Sequence, residues 1–390
     1  MSSAAISPSA DILRLVEAGY EVSIRKALLI LSNVPYRTAD GALARGVLMS
    51  DLQTANGTTV HPVENHQVWF GGSMPFDANG NSLEPVLGPA HQPYDPLPDI
   101  HVDFHLSHKV DGRSYRDYFE KLSRYAEVLE RGAKSIDPDA TAKTFAVDGV
   151  VQDYGVFNYP DTAAARAGIV DFNERLAMER VAIVGLGGTG SYILDFIAKT
   201  PIVEIHTFDG DALEDHNAYR APGAASGDDL AGGQFKVTYY HEIYSRMRSG
   251  LVPHEFFITA ENVDELRQMN YVFLAMDGGP DEQAVAEKLI EWGIPFTSVG
   301  MGVTRREGGL TAMLRTTSST PADPADPARL GVTAKDPEND YAKGIQIAEL
   351  NAWNAIQAVV AWKKFCGFYV NESNERRSSV LVHRNKIILA

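Results

Sequence analysis

Residues 181–220 read VAIVGLGGTGSYILDFIAKTPIVEIHTFDGDALEDHNAYR. An apolar run enters a glycine-rich turn, a helix-patterned stretch follows, and a second apolar run ends in an acid. That order predicts strand, turn, helix, strand, the opening of a nucleotide-binding βαβ unit. Gly185, Gly187 and Gly190 supply G-x-G-x-x-G, with Gly188 inside it. The first glycine suits a tight turn, the second lets a phosphate approach the backbone, and the third lets helix and strand pack closely. The helix start offers free N–H groups and a positive dipole end. Asp209, at the end of the second strand, is placed to accept hydrogen bonds from ribose hydroxyls. Both NAD and ATP carry that ribose, so this stretch leaves the choice between them open.

From residue 180 onward apolar segments alternate with amphipathic ones: VAIVG, SYILDFIAK, EIHTFD, FKVTYYHEIYSRMR, HEFFIT, YVFLAMD, EQAVAEKLIEW and PFTSVGMG. The alternation predicts a Rossmann-like α/β fold, a mostly parallel sheet with helices on both faces. GGLTAMLRTTSS reads as a strand of a different kind. The Pro/Asp/Ala-rich stretch after it reads as a mobile loop, and a long helix follows over 345–365, with Gly367 placed to end it. Trp353, Ile356 and Val360 share one stripe of that helix.

Upstream the pattern is α+β. A helix is expected near 9–18, then strands in VSIRKALLILSNVPY, ARGVLMSDL, HQVWFGG and DIHVDFHLS, a turn at 77–81, and a helix near 114–135 with Tyr115, Tyr118, Leu122, Tyr125 and Leu129 on one face. Residues 151–170 lose periodicity and read as a linker. The expected organisation is therefore a smaller α+β domain over 1–150, that linker, and the α/β domain over 171–390.

With 390 residues, 44% of them hydrophobic, two domains are each large enough to bury a core. A formal charge of −16 argues against nucleic-acid partners and anionic membrane surfaces. A single cysteine, Cys366, excludes an internal disulfide or a multi-cysteine metal site and points to a reducing compartment. The start lacks a signal-peptide pattern and no long apolar run suggests a membrane span, so a cytoplasmic protein is expected.

The residues after Asp209 bear on the NAD/ATP choice. Asp211, Asn217 and Arg220 follow in D-x-D-x-x-x-x-x-N-x-x-R, then Lys236 in GGQFKV and Asp277 at the end of YVFLAMD. A triphosphate with magnesium uses such a train of Asn, Arg, Lys and Asp, whereas a diphosphate resting on a helix dipole does not need it. No Y-x-x-x-K pair of a hydride-transfer enzyme occurs.

GLGGTGS, the D-x-D…N-x-x-R string, Lys236 and Asp277 together resemble the ThiF/MoeB/HesA adenylyltransferases, relatives of ubiquitin-activating enzymes, over about residues 170–365. The resemblance implies that Asp209 holds the ribose, that Asn217, Arg220 and Lys236 engage the phosphates of ATP, and that Asp277 organises Mg²⁺. Gly185, Gly187, Gly188, Gly190 and Asp211 complete the implied nucleotide site. The implied reaction is ATP-dependent adenylation of the C-terminal carboxylate of a ubiquitin-like (β-grasp) protein, in a bacterial conjugation or sulfur-transfer pathway. It also implies a homodimer, for which the 345–365 helix offers an apolar stripe, and an arginine from the partner subunit, with Arg166 and Arg175 as candidates. Two rival readings are an NAD-dependent oxidoreductase on the same fold and a nucleotide-binding scaffold without turnover.

The chain departs from that family in places. Neither a crossover cysteine nor a four-cysteine zinc site is present, and Asp277 is followed by Gly278 where Asn is common. Adenylation without a thioester at the crossover is therefore the expectation. The first half is similar to a bacterial extension of unknown function that precedes ThiF-type domains, and its element order loosely resembles the ubiquitin-conjugating fold. Lacking cysteine, it is expected to act in recognition. His101, Asp103 and His105 alternate on one strand face, which suits either a metal or simply the wet side of a sheet.

Overall fold

The structure is a computed structural model that describes residues 8–56, 58–61, 65–109, 112–146, 150–276, 278–327, 345–372 and 375–389. The chain divides into two compact units, Met1–Glu174 and Arg175–Ala390.

The first unit contains α1 (Ala10–Glu17), β1 (Glu21–Arg25), β2 (Leu28–Arg37), β3 (Leu43–Asp51), β4 (Thr54–Ala55), β5 (Thr58–Thr59), β6 (Gln67–Gly71), α2 (Glu84–Leu87), β7 (Ala90–Leu97), β8 (Ile100–Ser107), α3 (Tyr118–Ala133), β9 (Val151–Asp153), α4 (Thr162–Ala167) and α5 (Val170–Glu174). Seven strands form one sheet in the order β7-β8-β6-β3-β2-β1-β9, antiparallel except where β9 runs parallel to β1. Tyr118, Leu122, Tyr125 and Leu129 of α3 are buried with Ile12 and Leu15 of α1 on one face of the sheet. Ala164, Ala165 and Val170 of α4 and α5 pack with Leu28, Ile30, Met49 and Val102 on the other.

Residues 151–170, which lack periodicity, thus carry a strand, a short helix and the first residue of a second short helix of this unit. These elements are too short to show a period: α4 is set by the Asp161 cap, whose side chain accepts from Ala163 N and Ala164 N, and by Gly168 in the left-handed region. Strand β7 contains Pro93 and Pro96, which the sheet tolerates because β7 is an edge.

The second unit contains β10 (Arg180–Val184), α6 (Gly188–Ile197), β11 (Glu204–Phe208), α7 (Asp215–Ala218), α8 (Gly227–Ala231), α9 (Lys236–Tyr244), β12 (Leu251–His254), β13 (Tyr271–Leu274), α10 (Pro280–Glu291), β14 (Phe296–Arg306), β15 (Gly309–Ser319), α11 (Ala348–Phe365), β16 (Arg377–Leu381) and β17 (Lys386–Leu389). The strand order is β12-β11-β10-β13-β14-β15-β16-β17. The first five strands are mutually parallel and the last three add antiparallel. Val181 and Ile183 face α6, α9 and α11, while Ala182 and Val184 face α10, so helices cover both faces of the parallel part.

One strand sits differently from its reading: HEFFIT lies at and beyond the end of β12, which is Leu251–His254 and begins in LVPH. Pro253 hides this strand from pattern reading, and its edge position accommodates it. Of the stretch read as a mobile loop, 320–340, residues 328–340 lie outside the described residues.

Candidate functional site

Strand order reverses at β10. The chain steps outward through β11 and β12, then returns to place β13 on the other side of β10. In such sheets the crevice beyond the strand C-termini at this switch point is where ligands bind. The glycine turn after β10, Asp209 after β11 and the segment after β13 all open there.

The turn is built by close approach. Gly185 has φ +90°, and a Cβ on it would lie 2.6 Å from the Ala275 carbonyl oxygen. A Cβ on Gly190 would overlap the Gly185 carbonyl oxygen, and one on Gly188 would overlap the Asn351 amide nitrogen. Gly187 differs: it is the N-cap of α6, makes no side-chain cap bond, and a Cβ there would meet nothing within 4 Å. Packing within the chain accounts for three of these glycines. The fourth leaves open space over uncapped N–H groups at a helix N-terminus, a site suited to an anion.

Asp209 is buried and braces that turn. Its Oδ2 accepts from Leu186 N at 2.7 Å, and its Oδ1 accepts from Asp211 N at 2.9 Å and from Lys236 Nζ at 3.4 Å. Lys236, the first residue of α9, donates from the same ammonium to Asp211 Oδ2 at 2.6 Å. The lysine is buried while Asp211 is exposed. The structure therefore brings Asp209, Asp211 and Lys236 together with the glycine turn.

Asn217 is buried and accepts from Glu214 N at 2.8 Å, capping its own short helix α7, with its Nδ2 3.3 Å from His216 Nε2. Arg220 follows that helix. Its carbonyl accepts from Asn351 Nδ2 at 3.1 Å, and its buried Nε has no hydrogen-bond partner among the described residues. Asp277 lies outside the described residues.

Sequence reasoning missed Asn351. This fully buried residue of α11 reaches the Arg220 carbonyl with one end of its amide and accepts from Thr189 Oγ1 at 3.1 Å with the other. Asn354, also buried, donates to the Gly300 carbonyl at 3.2 Å. Two asparagines three apart in an otherwise apolar helix stretch were the available signal.

An uncapped helix start, an orphaned guanidinium nitrogen and a lysine beside them suit a polyanion. The remaining candidates do not gather there. Cys366 lies at the end of α11, its Sγ 3.9 Å from Met178 Sδ, and burial pushes its thiol up to about 12. Arg175 donates to the Gly367 carbonyl at 2.7 Å, and Arg166 is an exposed residue of α4. His101 pairs with Asp95 and Asp103, Asp103 accepts from Gly72 N, and His105 stacks on Trp69. Among the described residues no three His, Cys, Asp or Glu side chains are grouped to hold a metal, and no helix is long and apolar enough to cross a membrane.

Several solved structures are similar to part of this chain. E. coli MccB with succinimide is 19% identical, covers 59% of this chain and 69% of its own, and has a TM-score of 0.48. E. coli MccB with ATP is 18% identical over 59% and 69%, with a TM-score of 0.45. PaaA is 16% identical over 56% and 74%, with a TM-score of 0.46. No curated protein matches. A domain of unknown function, DUF6791, matches residues 10–162. The family model described as the ThiF family matches residues 161–361, more than half of the chain and the stretch holding the glycine turn, Asp209, Arg220, Lys236 and Asn351. By that match the chain belongs to the ThiF family.

Proposed function

We propose that the second unit catalyses ATP-dependent adenylation of the C-terminal carboxylate of a peptide or protein, giving an acyl-adenylate and pyrophosphate, and that the substrate is a ubiquitin-like β-grasp protein. The observation that carries this reading is the glycine turn at the switch point, with open space over Gly187 and with Lys236 beside Asp209 and Asp211. Family membership supports it.

In this reading the N-terminus of α6 receives phosphate oxygens, and Arg220 and Lys236 offset the charge that develops as pyrophosphate leaves. Asp209 accepts from the ribose while it continues to hold Leu186 N. Asn217 keeps the Arg220 loop in place through its cap, with Asp211 at the rim. Mg²⁺ accompanies the triphosphate, with Asp277 as its proposed ligand. A C-terminal carboxylate is already ionised at neutral pH, so the reaction calls for orientation rather than a general base. The buried Cys366 is not offered as a nucleophile, consistent with release or transfer of the adenylate without an enzyme thioester there.

Thermal unfolding with Mg·ATP, NAD and NADH tests the nucleotide. A ligand at a hundred times its dissociation constant stabilises by about 2.7 kcal/mol. Stabilisation by Mg·ATP alone, weakened in Arg220→Ala, is expected. Stabilisation by NAD or NADH instead would overturn the reading in favour of an oxidoreductase. Carboxylate-dependent pyrophosphate exchange with candidate β-grasp proteins then separates an enzyme from a scaffold that only binds.

A further inference from the structure

The first unit holds a cavity of ≈ 470 Å³ against the sheet face covered by α4 and α5. That size suits a small organic molecule. Asp51, Asn65, Trp69, Tyr94, His105 and Arg166 line it. Trp69 stacks on His105 with ring centroids 4.3 Å apart and meets Tyr94 edge-on at 4.7 Å, so one side of the cavity is aromatic.

The hydrogen-bonding groups are set by a lysine beneath them. Lys121 of α3 is completely buried, forms no ion pair among the described residues, and donates to Ser50 Oγ at 2.9 Å and Asn65 Oδ1 at 3.2 Å. The Lys121 bond turns the Asn65 oxygen inward, and a backbone N–H, which can only donate, identifies that end of the amide as the oxygen. Gln67 N donates to that same oxygen at 3.1 Å. Among the described residues the Asn65 NH₂ has no acceptor. Asp51 is the opposite case: its carboxylate has no hydrogen-bond partner among the described residues, and burial raises its pKa. The cavity therefore presents an unmet acceptor pair and an unmet donor next to aromatic rings.

Charge decides what kind of molecule fits. Burial pushes the Lys121 ammonium down to about 7 and, with Lys121 nearby, lowers the pKa of His105. Arg166 balances Asp51, the one carboxylate among the lining residues, and the charge that Lys121 keeps adds to it, which disfavours an organic cation. A neutral planar ring whose edge offers two N–H donors beside a carbonyl acceptor answers Asp51 and Asn65 together. Guanine has that edge, and Arg166 is suited to an attached phosphate.

We propose that this cavity binds a guanine-type base, held by Asp51 and Asn65 against Trp69, and that the ligand is its nucleoside monophosphate, with Arg166 on the phosphate. The site is independent of the adenylation reading for the second unit.

The test is calorimetric titration of the full-length protein with GMP, guanosine, AMP and UMP, each in the presence of saturating Mg·AMPCPP. GMP is expected to bind at one equivalent and at least about tenfold more tightly than AMP or UMP. Asp51→Asn should weaken GMP about tenfold or more, while leaving AMPCPP binding unchanged. Arg166→Ala should bring GMP down to the affinity of guanosine. Absence of GMP binding at millimolar concentration, equal binding of the three bases, or an unchanged Asp51→Asn variant each overturns the proposal. Equal affinity for guanosine and GMP in the wild-type protein removes the phosphate from it. Base discrimination by the wild-type chain decides the question even if Asp51→Asn does not fold.

Discussion

Asn351 spends both ends of its amide at the candidate site, one on Thr189 and one on the Arg220 carbonyl, and its nitrogen occupies the space a Cβ on Gly188 would need. Gly188→Ala should therefore destabilise the second unit by about 1–3 kcal/mol. Much of that loss should vanish in an Asn351→Ala background, a non-additivity that a double-mutant cycle by chemical unfolding measures directly. Additive losses would mean that another contact is responsible. Glu282 offers a second test at this scale. It is 2% exposed, accepts from Ser298 Oγ at 2.6 Å, and burial raises its pKa even though Arg315 acts to lower it. A carboxyl with a raised folded-state pKa contributes stability below its unfolded pKa and loses it as pH rises through the folded value. Glu282→Gln, which keeps the acceptor and removes the charge, should raise the melting temperature at pH 8, and the gain should shrink towards pH 4. Sequence showed the glycine spacing, Asp209 and Lys236, because spacing is what a turn encodes. It could not show that Asp209 also braces Leu186, or that Asn351 comes from 162 residues away to close the loop.

Helix α11 shows how an element's extent can be legible while its buried side is not. Its extent was legible, since the apolar run and Gly367 mark it. Its buried side is Asn351, Asn354, Ala355, Ala358, Val359 and Trp362, whereas Trp353 and Ile356 are exposed at 36% and 46%. Polar asparagines on the inner face, beside Leu350 and Trp362, and two large apolar groups outside blur the usual amphipathic signal. In the homodimer that family resemblance implies, this outer stripe is the proposed contact. Trp353→Glu with Ile356→Glu should then shift the mass measured by light scattering from dimer to monomer without lowering the melting temperature of the monomer. A mass that does not change with the double substitution would place the contact elsewhere. Strand β7 was missed and β12 was read a few residues late for one shared reason. Each carries proline at a sheet edge, where the ladder does not need the missing N–H, so residues that normally argue against a strand are tolerated.

At the scale of the whole chain, the division into units makes a prediction about where it can be cut. The loss of periodicity over 151–170 suggests a boundary after residue 150, but β9 pairs with β1 through Ser23, Ile24 and Arg25, and Ala164, Ala165 and Val170 cover Leu28, Ile30, Met49 and Val102. Removing residues 151–174 would uncover that apolar face and leave β1 as an edge with unpaired backbone groups. It would also delete Glu174, the ion-pair partner of Lys26. A fragment ending at Glu174 should unfold in one cooperative transition by circular dichroism. A fragment ending at residue 150 should aggregate or melt without cooperativity, because the area lost belongs to its core rather than to a tether. If the shorter fragment instead melts as sharply and at the same temperature, α4 and α5 contribute nothing to the stability of the first unit. The cavity that α4 helps to wall would then be only loosely closed, and GMP binding by the full-length protein would be expected to fail with it.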